Sequence, residues 1–157
     1  MTSNLLRILG ILLLIVLIYV VISSFNRATQ PATKTAVEFM TALTDHDLAT
    51  VEKLLDASTA TVSHVDNTIT GLEFKEQHVG TGSFSKVDPV KYSYLELTSR
   101  QIPRDAEAKI SPDNTLATVP LQVLVNGKPA SGGSIHLRQA QGQWKVFYIA
   151  QPEETKR

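Results

Sequence analysis

A histidine between two carboxylates is the first chemistry this chain offers. Asp45-His46-Asp47 supplies an imidazole and two acids, donor types that can hold a divalent cation. Adjacent residues on a helical turn point apart, however, and no further His or acid is spaced to complete a coordination set. The triplet is therefore read as a solvated turn between two helices, with Asp47 capping the second. Replacing His46 by Ala is expected to do almost nothing. His64 and Asp66 come next. Residues two apart on a strand share a face, so this pair has the spacing for a histidine–carboxylate contact and general-base work. A polar, solvent-facing strand accounts for the same two residues. Gly80-x-Gly82 lacks the strand-to-helix context and the lysine of a phosphate cradle and is set aside. Tyr92, Tyr94, Trp144 and Tyr148, together with Phe147, form the candidate ligand-lining set. Aromatics on sheet strands also serve as core, which is the competing reading. No residue is assigned a catalytic role, and no metal or cofactor is implied.

These residues must be positioned by a chain that begins with a greasy run. From Ile8 to Ile22 every residue is apolar, Gly or Tyr. At about 1.5 Å per residue, Leu5–Phe25 reaches roughly 30 Å as a helix, one hydrocarbon core. Arg7 can carry its charge back to the headgroups, and Tyr19 and Phe25 suit the opposite interface. Residues 1–25 are read as an uncleaved signal-anchor. A signal peptide cut after Ser23, releasing a soluble domain, is the weaker alternative. Arg7 before the span is nearly balanced by Arg27 and Lys34 after it. The short leading segment and the large remainder place the bulk of the chain outside the cytoplasm, on the cell (inner) membrane.

Beyond residue 25 the chain carries 14 Lys+Arg against 15 Asp+Glu, a formal net of −1. Nucleic acid needs a clustered basic footprint, so a nucleic-acid partner is not expected. The absence of cysteine excludes disulfides, a thiolate nucleophile and a lipid-modified cysteine. About 130 residues remain for one domain with a real core. Residues 26–33, NRATQPAT, read as a linker, 34–150 as the domain and 151–157 as a polar tail.

Helical periodicity comes first. Ala36, Val37, Met40 and Leu43 recur at three- and four-residue steps, with Phe39 flanking them. Leu48, Val51, Leu54 and Leu55 form the stripe of a second helix. Thr61–Val65 reads as a short strand. Gly71–Val79 reads as a third short helix, or else as a strand with Leu72 and Phe74 on one face. From Lys91 the period becomes two. It runs through Leu95 and Leu97, then Ala106, Ala108 and Ile110, then Ala117, Val119, Leu121, Val123 and Val125, and then Ile135 and Leu137. In the last strand Trp144, Val146 and Tyr148 fall on one face and Phe147 and Ile149 on the other, as in a central or doubly covered strand. Ser111–Asn114, Asn126-Gly127 and Gln141–Gln143 are turns. Pro120 cannot donate to a ladder and predicts a bulge or an unpaired edge. Helices followed by an antiparallel meander give the α+β class: a helical hairpin packed on a curved sheet.

This order resembles the nuclear transport factor two-like superfamily, whose fold is cone-shaped and cystatin-like. The residues that carry the resemblance are the opening AVEFMTALTDHDLATVEKLL, Leu116–Val119, Val125–Lys128 and the closing Gly142-Gln143-Trp144-Lys145-Val146. The last looks like the G-x-W-K-[IV] ending of bacterial envelope members, and the likeness covers about residues 34–150. Anchored relatives include a component of type IV secretion and proteins of lipid-importing mammalian-cell-entry systems. Neither family's motif occurs here, so no residue role transfers. Isomerase and dehydratase members work with acids and bases inside the cone, and Tyr92, Tyr94, Glu96 and His136 would be the corresponding candidates. His136 alternates with Ile135 and Leu137, which turns it away from the covered face.

The expectation is a membrane-anchored, non-enzymatic binding or interaction domain in an envelope complex, with a protein partner, a second copy of itself or an apolar ligand. The alternative is an anchored isomerase or hydrolase with a pocket in the cone.

Overall fold

The computed structural model describes residues 30–79 and 83–152, with side chains outside 76–88. The apolar segment Leu5–Phe25, residues 80–82 and residues 153–157 lie outside the described residues. Among the described residues no helix is long and apolar enough to cross a membrane.

Helix α1 spans Pro31–Thr44. It starts within the stretch read as linker, because Pro31 occupies the first turn, where its missing N–H leaves nothing unpaired. Ala32, Ala36, Phe39 and Leu43, at steps of four, three and four, are fully buried. That stripe corrects the expected one. Phe39 lies at its centre, and Val37 turns outward at 46% exposure. Helix α2 spans Leu48–Leu54, and Asp47 caps it by accepting the Thr50 N–H at 3.2 Å.

Three antiparallel strands follow, β1 (Ala60–Val65), β2 (Thr68–Val79) and β3 (Ser83–Ser93), in that spatial order. The preferred helix over Gly71–Val79 is corrected to the strand alternative, with Leu72 and Phe74 both buried. The reason lies upstream. Asp66 and Asn67 adopt φ of 46° and 66°, a two-residue left-handed turn that sends the chain straight back along β1.

Helix α3 (Tyr94–Thr98) replaces the expected strand through Leu95 and Leu97. Ser93 and Glu96 form a capping box, in which Ser93 Oγ accepts the Glu96 N–H and Glu96 Oε2 accepts the Ser93 N–H at 2.8 Å. Only Leu97 of the two leucines is buried, while Leu95 is 78% exposed. The chain continues as β4 (Arg100–Gln101), β5 (Lys109–Ile110), β6 (Leu116–Val125), β7 (Lys128–Ala140) and β8 (Gln143–Ala150). These form a second antiparallel sheet in the order β4-β6-β7-β8, with β5 also paired to β6.

The Asn126-Gly127 and Gln141-Gly142 pairs both have positive φ and close the two long hairpins as tight turns. Pro120 meets both of its expectations. Strand β4 registers against Gln122 and Val123, and β5 against Ala117 and Thr118, which leaves Pro120 in the gap between two short edge strands. A bulge follows it at Leu121/Gln122.

In β8 the alternation is interrupted. His136 faces Tyr148 and Leu137 faces Val146, so Phe147 is an extra residue. The bulge resets the phase: Ile149 pairs with Ile135 and joins Val146, while Tyr148 sits opposite His136. Strand β8 ends its ladder rather than lying centrally, yet its edge is covered. The carbonyls of Val146, Phe147 and Ile149 accept from the Asp56 N–H (2.8 Å), the Thr59 hydroxyl (3.4 Å) and the Tyr92 hydroxyl (2.7 Å). Phe74 meets both Tyr92 and Tyr148 edge-on, at 6.1 and 6.0 Å, and so joins the two sheets. The result is an α+β domain with a curled antiparallel sheet and few helices. Its core of Phe39, Leu43, Phe74, Val119, Ile135, Leu137, Val146 and Ile149 lies under α1.

Candidate functional site

The capping box decides where the next cation goes. It starts the five-residue α3 directly after β3, and the chain leaves the helix at Ser99 directly into β4. Arg100 then pairs opposite Val123, which places the root of its side chain in the sheet. Its guanidinium is drawn inward over the Tyr92 ring, 5.1 Å from the centroid, and the residue is 8% exposed. One long hydrogen bond accompanies this contact, from Nη1 to the Ala150 carbonyl at 3.5 Å. Glu96 lies near enough to feel the positive charge. Its carboxylate is committed to the backbone and hydroxyl of Ser93, and those bonds, more than Arg100, hold its pKa below the usual range.

Arg100 borders two depressions. The larger, of about 380 Å³, is walled by α1 through Val37, Met40, Thr41 and Thr44, and by Thr98, Gln101 and Ile102 on the other side. Asp45 also reaches it. The smaller, of about 180 Å³, lies between Glu96, Ser99, Val123, Gly132 and Gln151. The larger is thus an apolar and hydroxyl-lined cleft with one acid and one inward-drawn cation, a size and composition suited to a small ligand.

The aromatic set is split. Tyr92 and Tyr148 are both buried, and their hydroxyls interact in the interior. Burial above all, with help from Tyr148, pushes the Tyr92 phenol up to about 12, so it remains a donor to Ile149. Trp144 is buried, 7% exposed, as a core residue. Tyr94 stands on α3 rather than on a strand. It donates to the Thr44 carbonyl at 3.1 Å and stacks on His46, with centroids 4.3 Å apart and planes 16° from parallel.

The Asp45-His46-Asp47 turn is only partly as expected. Asp47 caps α2, but His46 is half-buried, with φ at 55°, and its Nδ1 accepts the Ile69 N–H at 3.2 Å. The imidazole joins the interhelical turn to β2 and α3. Among the described residues no three His, Asp or Glu side chains gather as a metal-holding group. The His64–Asp66 pair does not share a strand face, because β1 ends at Val65 and Asp66 opens the turn. His136 is half-buried between Thr118 Oγ1 (3.4 Å to Nδ1) and Ser134 Oγ (3.0 Å to Nε2), next to Phe147. Glu96 serves the capping box.

Sequence reasoning missed Arg100 entirely. The available signal was Ser93-x-x-Glu96, which marks a helix start and so breaks the expected strand before Arg100.

No family model matches the chain, and neither a curated protein nor a solved structure matches it.

Proposed function

We propose that this chain is a single-pass membrane protein whose α+β domain stands outside the cytoplasm and binds a ligand or partner at the α1–β4 cleft without transforming it. The apolar run Leu5–Phe25 supports the anchor. The observation that carries the binding reading is the cleft itself, with Arg100 among its lining residues and Val37, Met40 and Ile102 as its apolar wall. Membership of the nuclear transport factor two-like superfamily, and with it a cone-like, cystatin-like form and an accessory place in an envelope complex, belongs to the same proposal. A helical hairpin on a curled sheet supports it. The membrane holds the chain through residues 5–25, and nucleic acid is not a partner.

The experiment has two arms. Intact mass of the membrane-bound chain should retain residues 1–23, and loss of those residues removes the anchor. A photo-crosslinking side chain at Val37, in intact membranes, should give an adduct that the same group at exposed Val65, on the β1–β2 hairpin and outside the cleft lining, does not. Equal labelling at both positions sinks the cleft as the binding face. An isomerase or hydrolase would have to work with Asp45 and Arg100, the charged residues of that cleft. Turnover lost on Asp45→Asn would establish it.

A further inference from the structure

Two arginines turn inward, and only one of them meets a carboxylate among the described residues. Arg138, on β7, lies over the Phe147 ring at 4.3 Å and also meets a carboxylate, with Nε 2.9 Å from Asp56 Oδ2. Charge and ring together neutralise and cover it. Arg100 has the ring alone. It is 8% exposed, and no carboxylate of the described residues comes within ion-pair distance. A guanidinium has five N–H donors, and here one of them makes a single bond at the limit of hydrogen-bond length. Its other nitrogens keep a little contact with solvent, but covering a charge this far without a counter-charge is costly, and a fold that needed only bulk at this point would do better with Met or Leu. Such a cost is retained where a ligand repays it.

Resting on the cleft reading above, we infer that Arg100 is an anion-recognition residue and that the occupant is a small monocarboxylate with an apolar body. The fork of the guanidinium fits a planar carboxylate with two parallel bonds. Val37, Met40 and Ile102 receive the apolar part, and Thr41 supplies a hydroxyl at the wall, while the Thr44 and Thr98 hydroxyls donate to the Met40 and Tyr94 carbonyls. Asp45 sets the charge limit. A second negative charge on the ligand meets this acid, so a dianion such as phosphate is disfavoured.

The test uses the full chain in lipid nanodiscs, with empty discs as the baseline, and sodium hexanoate as the probe. Hexanol and hexylamine share its body without its charge, and inorganic phosphate shares the charge without the body. Hexanoate should bind and raise Tm, and should shift the amide resonances of Val37–Thr44 and Thr98–Ile102. Hexanol, hexylamine and phosphate should each bind about tenfold to a hundredfold more weakly. Arg100→Met should reduce hexanoate binding by a similar factor while leaving Tm unchanged or higher. Val37→Glu, at an exposed position, should weaken hexanoate through repulsion with the fold intact.

If Arg100→Met lowers Tm sharply and Val37→Glu binds hexanoate normally, the arginine is structural and the inference fails. Equal binding of hexanol and hexanoate also overturns it. Failure here with specific crosslinking at Val37 leaves the binding domain standing and removes only the ligand class. Hexanoate binding by a chain lacking residues 1–23 does the reverse.

Discussion

His46→Ala separates the structure from the simplest reading of its sequence, in which the residue is a solvated turn position. Three effects meet at this residue. Nδ1 takes up the Ile69 N–H, and losing that acceptor in a half-buried setting costs about 1 kcal/mol. The imidazole stacks on Tyr94 at 4.3 Å, a contact that contributes about 0.5–1.5 kcal/mol. The backbone is left-handed, at φ 55°, and Ala bears that strain as His does, so it drops out of the difference. The expected loss is about 1.5–2.5 kcal/mol. His46→Gly loses the same contacts but relieves the strain, and should be about 1 kcal/mol more stable than His46→Ala. Urea unfolding followed by the fluorescence of Trp144, the single tryptophan and a buried one, reads these differences directly. A double-mutant cycle with Tyr94→Ala should return the stacking energy as coupling. A His46→Ala midpoint equal to wild type would refute the clamp and restore the solvated turn.

Other perturbations probe the core, the curl and the buried phenol. Trp144→Ala should cost about 3–5 kcal/mol, since the indole is 7% exposed, and a near-zero change in thermal unfolding would invert the sheet. Gly133→Ala should cost about 2–5 kcal/mol: φ is +91° and a Cβ there runs into the Ala150 carbonyl, so an unchanged Tm would deny the close approach. At alkaline pH, unfolding releases the Tyr92 proton near its ordinary value of 10.0, whereas the folded chain keeps it to about 12. Stability should therefore fall as pH rises through that window, and Tyr92→Phe should flatten the slope. An unaltered slope in the variant assigns the loss to other groups.

What was legible in the sequence followed from local rules that nothing nearby contradicts. Asn126-Gly127 makes a hairpin because few other residue pairs accept two positive φ values so readily. Asp47 caps because the N–H of Thr50 has no other partner at a helix start. The errors arose where two periods fit the same residues. Leu95 and Leu97 alternate as a strand does, but the Ser93–Glu96 exchange favours a helical turn, and only one leucine is covered. In β8 a single extra residue, Phe147, turns Tyr148 onto the His136 side, and no period-two pattern foresees an insertion. The cleft was the least legible feature. Its walls come from residues 37–45 and 98–102, and Arg100 belongs to no motif. Its significance lies in being covered without being paired, and covering is a property of the fold.

The curl of the sheet and the position of that arginine are one arrangement. Gly132 is the extra residue where β7 passes the Leu121/Gln122 irregularity, and a Cβ there would lie 2.8 Å from the Gln122 carbonyl carbon. The bend brings the far half of β6 to β4, where Val123 pairs with Arg100. The next glycine, Gly133, makes room for the Ala150 carbonyl, which is the only backbone acceptor the Arg100 guanidinium reaches among the described residues. One residue back along β8, Ile149 takes the hydroxyl of Tyr92, and this fixes the ring beneath the same guanidinium. Two glycines, one carbonyl and one phenol thus hold the cation at the border of the cleft without neutralising it. The same fold places Asp56 beside Arg138 but, among the described residues, no carboxylate within ion-pair distance of Arg100. That it leaves this charge to be met from outside is the physical ground for reading the α1–β4 cleft as a place where an anion arrives.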